Sequence, residues 1–246
     1  MDHLQPAYIL ARRPYSNTSL LLELFTQDHG RLAVIAKGAR TAAGKGGGFL
    51  QPFVPLELTW TGRGEVRTLM KSESTGQGIL TEGRRLYCGF YLNELLSRLT
   101  PRDDPHPGLF HLYDATLRAL ATTEEFEPLL RRFEVGLLED LGYGMQLTHC
   151  PDGEPVREEL RYLCPFEEGP IKAISGGKAG LAGDTLLALA GAKPFTADAA
   201  REARLLMRQV LARYLGERPL KSRELFRSLY PVKPRGCEET TSLSQG

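Results

Sequence analysis

The side chains best placed to do chemistry in this chain are cations set among glycines. Lys37, Arg40 and Lys45 follow one another in a glycine-rich loop, and no acidic residue occurs from Gly30 to Pro55. Small residues let backbone N–H groups and charged side chains converge on an anion, so a phosphate backbone is a natural ligand for such a loop. A solvated linker has a similar composition. A nucleotide-binding P-loop does not fit. Between Gly38 and Gly44-Lys45 there is one residue too many, Gly46 stands where the magnesium-binding hydroxyl should be, and no helical pattern follows. The sequence therefore predicts no nucleotide cofactor.

A second group of cations has helical spacing. Arg201, Arg204 and Arg208 recur at i, i+3 and i+7, with Leu206, Met207, Val210 and Tyr214 on the opposite side, and Arg218, Lys221, Arg223 and Arg227 follow. A solvated amphipathic face reads the same way. The functional alternative is a surface for phosphates or an acidic peptide, with Arg201, Arg204, Arg208 and Arg223 as contacts. Aromatic side chains that could stack on bases are Tyr15, Phe49, Phe53 and Trp60. Phe25 and Phe53 suit a core better, which leaves Tyr15 and Phe49 as the stacking candidates.

Two half-motifs complete the set. Cys150-Pro-Asp-Gly153 and Cys164-Pro-Phe-Glu167 resemble zinc knuckles that have each lost a cysteine, and a structural zinc needs four ligands. His149, Asp152 and Glu167 are nearby donors, although adjacent His149 and Cys150 would strain a shared site. The five histidines fall mostly in turns and termini without metal-site spacing, and no G-x-S-x-G occurs. The pattern predicts a non-enzyme.

These residues must be held by two kinds of element. Short apolar runs at 8–12, 20–26, 31–37, 54–60 and 65–71, separated by turn residues, predict five strands and a small closed barrel of OB type; an SH3-like barrel fits as well. Gln27-Asp28-His29-Gly30 marks a hairpin. From Glu82 the period becomes helical: Leu86 to Leu99 up to Pro101, then Leu109 to Leu120, then Phe126 to Leu141 with Gly142 as its stop. The pattern breaks over residues 144–180 and resumes at 184–190, 198–214 and 222–229. Domains are expected at 1–80 (barrel), 81–144 and 181–230 (helical), and 145–180 (a cysteine-containing insertion). A disordered tail is expected over 231–246. The fold class is multidomain α+β.

The formal charge of the 246-residue chain is only +1, but it is unevenly spread. Seven basic residues, Arg63 and Arg67 among them, stand between Arg31 and Lys71 against Glu57 and Glu65. Ten stand between Arg201 and Arg235 against three acids, while the helical middle is acidic. Two basic regions flanking an acidic one suggest a polarised surface. Four cysteines do not form a disulfide framework in a cytosolic chain. No run of roughly 18 apolar residues is present, and MDHLQPAY lacks the pattern of a signal peptide. A cytoplasmic protein with no membrane partner is expected.

Five segments in order resemble the RecO family of recombination mediators: SLLLELFTQDHGRLAVIAKGAR, FLQPFVPLEL, FYLNELLSRLTPRDDPHPGLFHLYDATLRAL at 90–120, RRFEVGLLEDLGYG at 131–144 and RPLKSRELFRSL at 218–229. The resemblance covers residues 7–230. It implies an OB barrel, then a helical domain interrupted by a zinc-ribbon-like hairpin. It also implies binding of single- and double-stranded DNA, annealing of complementary strands, and loading of recombinase onto protein-coated single strands. Implied partners are RecR and the acidic C-terminal tail of single-strand binding protein, at a nucleoid-associated location. The family's hairpin commonly carries two C-x-x-C pairs. Gly153 and Glu167 occupy two of those positions, leaving Cys150 and Cys164 for a zinc that would be structural. DNA contacts are then expected from Lys37, Arg40, Lys45, Arg63, Arg67, Tyr15 and Phe49. Two alternatives are an RNA-binding barrel adaptor, which would exploit the 2′-hydroxyl, and a metal-dependent nuclease using the acidic helices.

Overall fold

The computed structural model describes residues 3–40, 48–80, 82–165, 168–173 and 180–229. Lys45, Glu167 and the tail from residue 230 lie outside them.

Five strands close into a barrel: β1 (Gln5–Pro14), β2 (Leu20–Thr26), β3 (Gly30–Ala36), β4 (Leu56–Thr61) and β5 (Val66–Ser74), in the order β1-β2-β3-β5-β4. Every pairing is antiparallel except β3 with β5, which run parallel over Ala33↔Val66 to Ile35↔Thr68. That closure is the OB arrangement and decides against the SH3-like alternative. Alternation along the strands turns Ile9, Leu22, Leu24, Leu32, Val34, Leu56 and Leu58 into a sealed interior. Trp60 joins them, so it is core and presents no stacking surface.

Three outward positions of β1 and β2 are apolar too, because helices cover them. Tyr8, Leu10 and Phe25 belong to the core of the helical region. Tyr8 meets Tyr113 edge-on at 5.3 Å, and Phe25 lies 5.7 Å from Phe110. Polar bonds fix the same junction. Tyr8 donates to Asp114 at 2.5 Å, and Asn93 donates to the Leu10 carbonyl at 2.9 Å while accepting from Tyr113.

The helices are α1 (Gly83–Leu99), α2 (Pro107–Thr122), α3 (Phe126–Asp140), α4 (Gly183–Leu189), α5 (Ala197–Leu215) and α6 (Lys221–Leu229). Between α3 and α4 lies a small sheet, β6 (Arg161–Leu163), β7 (Ile171–Lys172) and β8 (Leu181–Ala182), ordered β7-β6-β8. Glu202 of α5 ties that sheet to the helices. Its carboxylate accepts from Arg161 at 2.9 Å, the Ala182 N–H at 2.8 Å and the Thr185 hydroxyl at 2.8 Å. Glu94 of α1 similarly accepts from the Lys221 and Ser222 N–H groups and holds the start of α6.

Candidate nucleic-acid interface

The strand register sorts the barrel's cations into two groups. Arg13↔Leu21, Pro14↔Leu20 and Leu20↔Ala36 bring the end of β1, the start of β2 and the end of β3 to one end of the barrel. Tyr15, Lys37 and Arg40 therefore meet there, joined by Arg12 and Arg13. Local bonds shape this end. Arg40 donates its backbone N–H to Thr18 at 3.0 Å and its guanidinium to the Ser16 carbonyl at 2.6 Å, so the loop after β3 leans on the β1–β2 connection. Arg12 holds the Leu50 carbonyl at 3.1 Å. Tyr15 is 59% exposed, and its ring is open for stacking. Phe49 is half-buried against the barrel core, which limits its free face. No described acidic side chain forms an ion pair with Lys37, Arg40, Arg12 or Arg13.

Arg63 and Arg67 lie at the other end. Gln5↔Leu58 carries the tip of the β4–β5 hairpin past the start of β1. There Arg67 pairs with Asp103 at 2.5 Å and lies over Trp60, while Arg63 is exposed on the turn. The connection between α1 and α2 packs against this end: Arg31 donates to the Thr100 carbonyl at 2.8 Å, and the Asp103 N–H donates to the Arg31 carbonyl. Arg67 thus serves the junction between barrel and helices, a role no local pattern announced.

On α5, Arg201, Arg204 and Arg208 share an exposed face, with Leu205 61% exposed among them. Arg201 pairs with Asp198, and Arg204 reaches Glu127 at 3.4 Å. Exposed pairs of this kind are worth ~0–1 kcal/mol, so an incoming carboxylate or phosphate can replace them. Arg223 is different. It donates to the Tyr91 hydroxyl at 3.0 Å and lies over that ring. Tyr91 in turn donates to the fully buried Glu134, which Arg131 pairs at 2.6 Å. Burial pushes the Glu134 carboxyl above its usual range against the pull of Arg131. Arg223 is therefore part of an internal network and stands apart from the α5 face.

Two hollows open on the helical side. One, of about 500 Å³, lies between α2, α3 and the end of α4, with Leu112, Arg132, Val135, Glu139 and Asp140 among its walls. The other, of about 310 Å³, lies between α5 and the segment after α3. Neither Arg132 nor the second hollow was singled out by sequence reasoning. Arg132 sits in an acid-alternating helix, and the hollow exists only once distant segments meet.

The cysteine segment keeps two thiols. Cys150 is buried and Cys164 half-buried; burial, with Cys150 adding to it, pushes the Cys164 thiol up to about 11. Gly153 occupies its turn at φ +86°. Among the described residues no group of three or more His, Cys, Asp or Glu is placed to hold an ion. No helix among them is long and apolar enough to cross a membrane.

Comparison with known proteins decides the lineage. The family model for the recombination protein O N terminal matches residues 1–77, and that for its C terminal matches residues 80–224. The chain belongs to the RecO family. Among its RecO relatives, the DNA repair protein RecO of Methylococcus capsulatus is 49% identical over 93% of each chain. That of Alkalilimnicola ehrlichii is 47% identical over 92% of this chain and 91% of the relative. That of Nitrosospira multiformis is 42% identical over 91% and 94%. RecO-family proteins are non-catalytic mediators, so membership makes the chain a non-enzyme.

Proposed function

We propose that this RecO protein is a recombination mediator in DNA repair that works by holding DNA backbones without covalent chemistry. The observation that carries this is the convergence of Lys37, Arg40, Arg12 and Arg13 beside exposed Tyr15 at one barrel end. Two strands repel each other through their phosphates. A protein that neutralises phosphates on both raises their local concentration and speeds annealing. Contacts of this kind position DNA with little base specificity, so single and double strands are both ligands. Lys45, eight residues after Lys37 in the sequence, adds a further cation.

The α5 face serves a second ligand in this scheme. Arg201 and Arg204 exchange their weak internal pairs for the carboxylates of the single-strand binding protein tail, Arg208 adds a third guanidinium, and Leu205 offers an apolar contact to its end. With RecR as a further partner, the protein helps recombinase replace the single-strand binding protein, in the cytoplasm at the nucleoid. A structural zinc on Cys150 and Cys164 would brace the hairpin and take no part in these contacts. Substitutions separate the two sites. Lys37→Ala with Arg40→Ala should lower DNA affinity and slow annealing while leaving tail-peptide binding intact. Arg201→Glu, Arg204→Glu and Arg208→Glu together should abolish tail-peptide binding and spare naked DNA. If either set removes both activities equally, separate sites are wrong.

A further inference from the structure

The smaller hollow has the makings of a base-stacking seat. Its walls include Tyr143, Met145, Gln146, Leu206, Val210 and Tyr214, with a volume of about 310 Å³, at the small end of ligand pockets. Tyr143 and Tyr214 lie ring on ring, 4.4 Å between centroids and 31° between planes, yet Tyr143 remains 50% exposed. Gly142, Gly144 and Gly169 line it as well and keep the approach to the rings low. No acidic side chain among the described residues lines this hollow, whereas Glu139 and Asp140 line the other. Arg213, exposed on α5, stands seven residues after Leu206 and so on the same side of the helix.

We infer that this hollow takes an unpaired nucleobase of single-stranded DNA, stacked on Tyr143, with a neighbouring phosphate near Arg213. An apolar wall with a half-open aromatic ring accepts the π-face of any base, and Gln146 supplies an amide beside it. That no described carboxylate lines the hollow matters because a phosphate must come close. This seat presupposes the DNA-binding function proposed above and adds a second point of contact on the helical side, away from the barrel end.

Equilibrium binding to a labelled oligothymidylate and to an abasic oligonucleotide of equal length tests it. At fixed salt, Tyr143→Ala should weaken oligothymidylate binding about fivefold or more, the lower bound for one stacked base, and leave abasic binding unchanged. Tyr143→Phe should bind like the native protein, because stacking needs no hydroxyl. Arg213→Gln should weaken both ligands alike. Thermal unfolding of each variant identifies any loss that is a folding defect, and Tyr143→Phe then carries the comparison with Arg213→Gln. Native-like oligothymidylate binding by Tyr143→Ala overturns the seat, as does an equal loss on both ligands. Loss of tail-peptide binding alone would assign the hollow to a protein side chain and overturn it too. If the native protein binds neither oligonucleotide, the proposed function itself fails.

Discussion

Glu202 shows how much one carboxylate can organise. Burial raises its pKa, but the Ala182 N–H, Arg161 and Thr185 outweigh that and hold it below the ordinary 4.5. A carboxyl held low in the folded state stabilises the fold fully above its unfolded value, and that contribution is lost as pH falls through the folded value. Glu202→Gln keeps the shape but loses one acceptor oxygen and the charge. It should cost about 1–3 kcal/mol in urea unfolding at pH 7. The gap from the native protein should shrink as pH falls below the ordinary 4.5. A gap that is absent at pH 7, or that persists unchanged in acid, would mean the carboxylate does not hold the sheet. At this scale the sequence was only partly informative. Lys37, Arg40 and Tyr15 could be picked out because charge, glycine and exposure are local properties. Arg67 and Arg223 could not be sorted from them, since Asp103 and Tyr91 are 36 and 132 residues away in the chain.

Elements were far more legible than partners. Period-two and period-3.6 apolar patterns record which face is buried, so the barrel strands and the helices stand close to where the pattern put them. Periodicity does not say what covers a face. Tyr8, Leu10 and Phe25 fill the junction between barrel and helices, and the pattern alone only marked them as apolar. That junction has a sharp steric requirement at the β2–β3 turn. Gly30 sits at φ +62°, and a Cβ there would lie 1.8 Å from the Asp104 carbonyl oxygen. Gly30→Ala therefore meets both backbone strain and a backbone clash. It should destabilise the protein by at least about 1 kcal/mol and raise hydrogen exchange in β2, β3 and the α1–α2 connection together. Exchange confined to the turn itself would show that the barrel and helices are not held through this contact.

For the whole molecule, the even charge balance conceals the arrangement that matters. Cations at one barrel end are left without described acidic partners, Arg67 at the other end serves the junction, and α5 carries a third set of which Arg201 and Arg204 are weakly paired. The same composition with Lys37, Arg40, Arg12 and Arg13 paired internally would have no exposed polycationic end, so net charge could not have revealed it. The most direct test is the slope of log affinity for single-stranded DNA against log salt concentration, in the native protein and in Lys37→Ala with Arg40→Ala. Phosphate-led binding predicts a steep negative slope for the native protein. Removing two phosphate contacts should reduce its magnitude by about 1.4, at roughly 0.7 per contact on single strands. A native slope near zero, or one that the double substitution leaves unchanged, would contradict the barrel end as the DNA-binding surface.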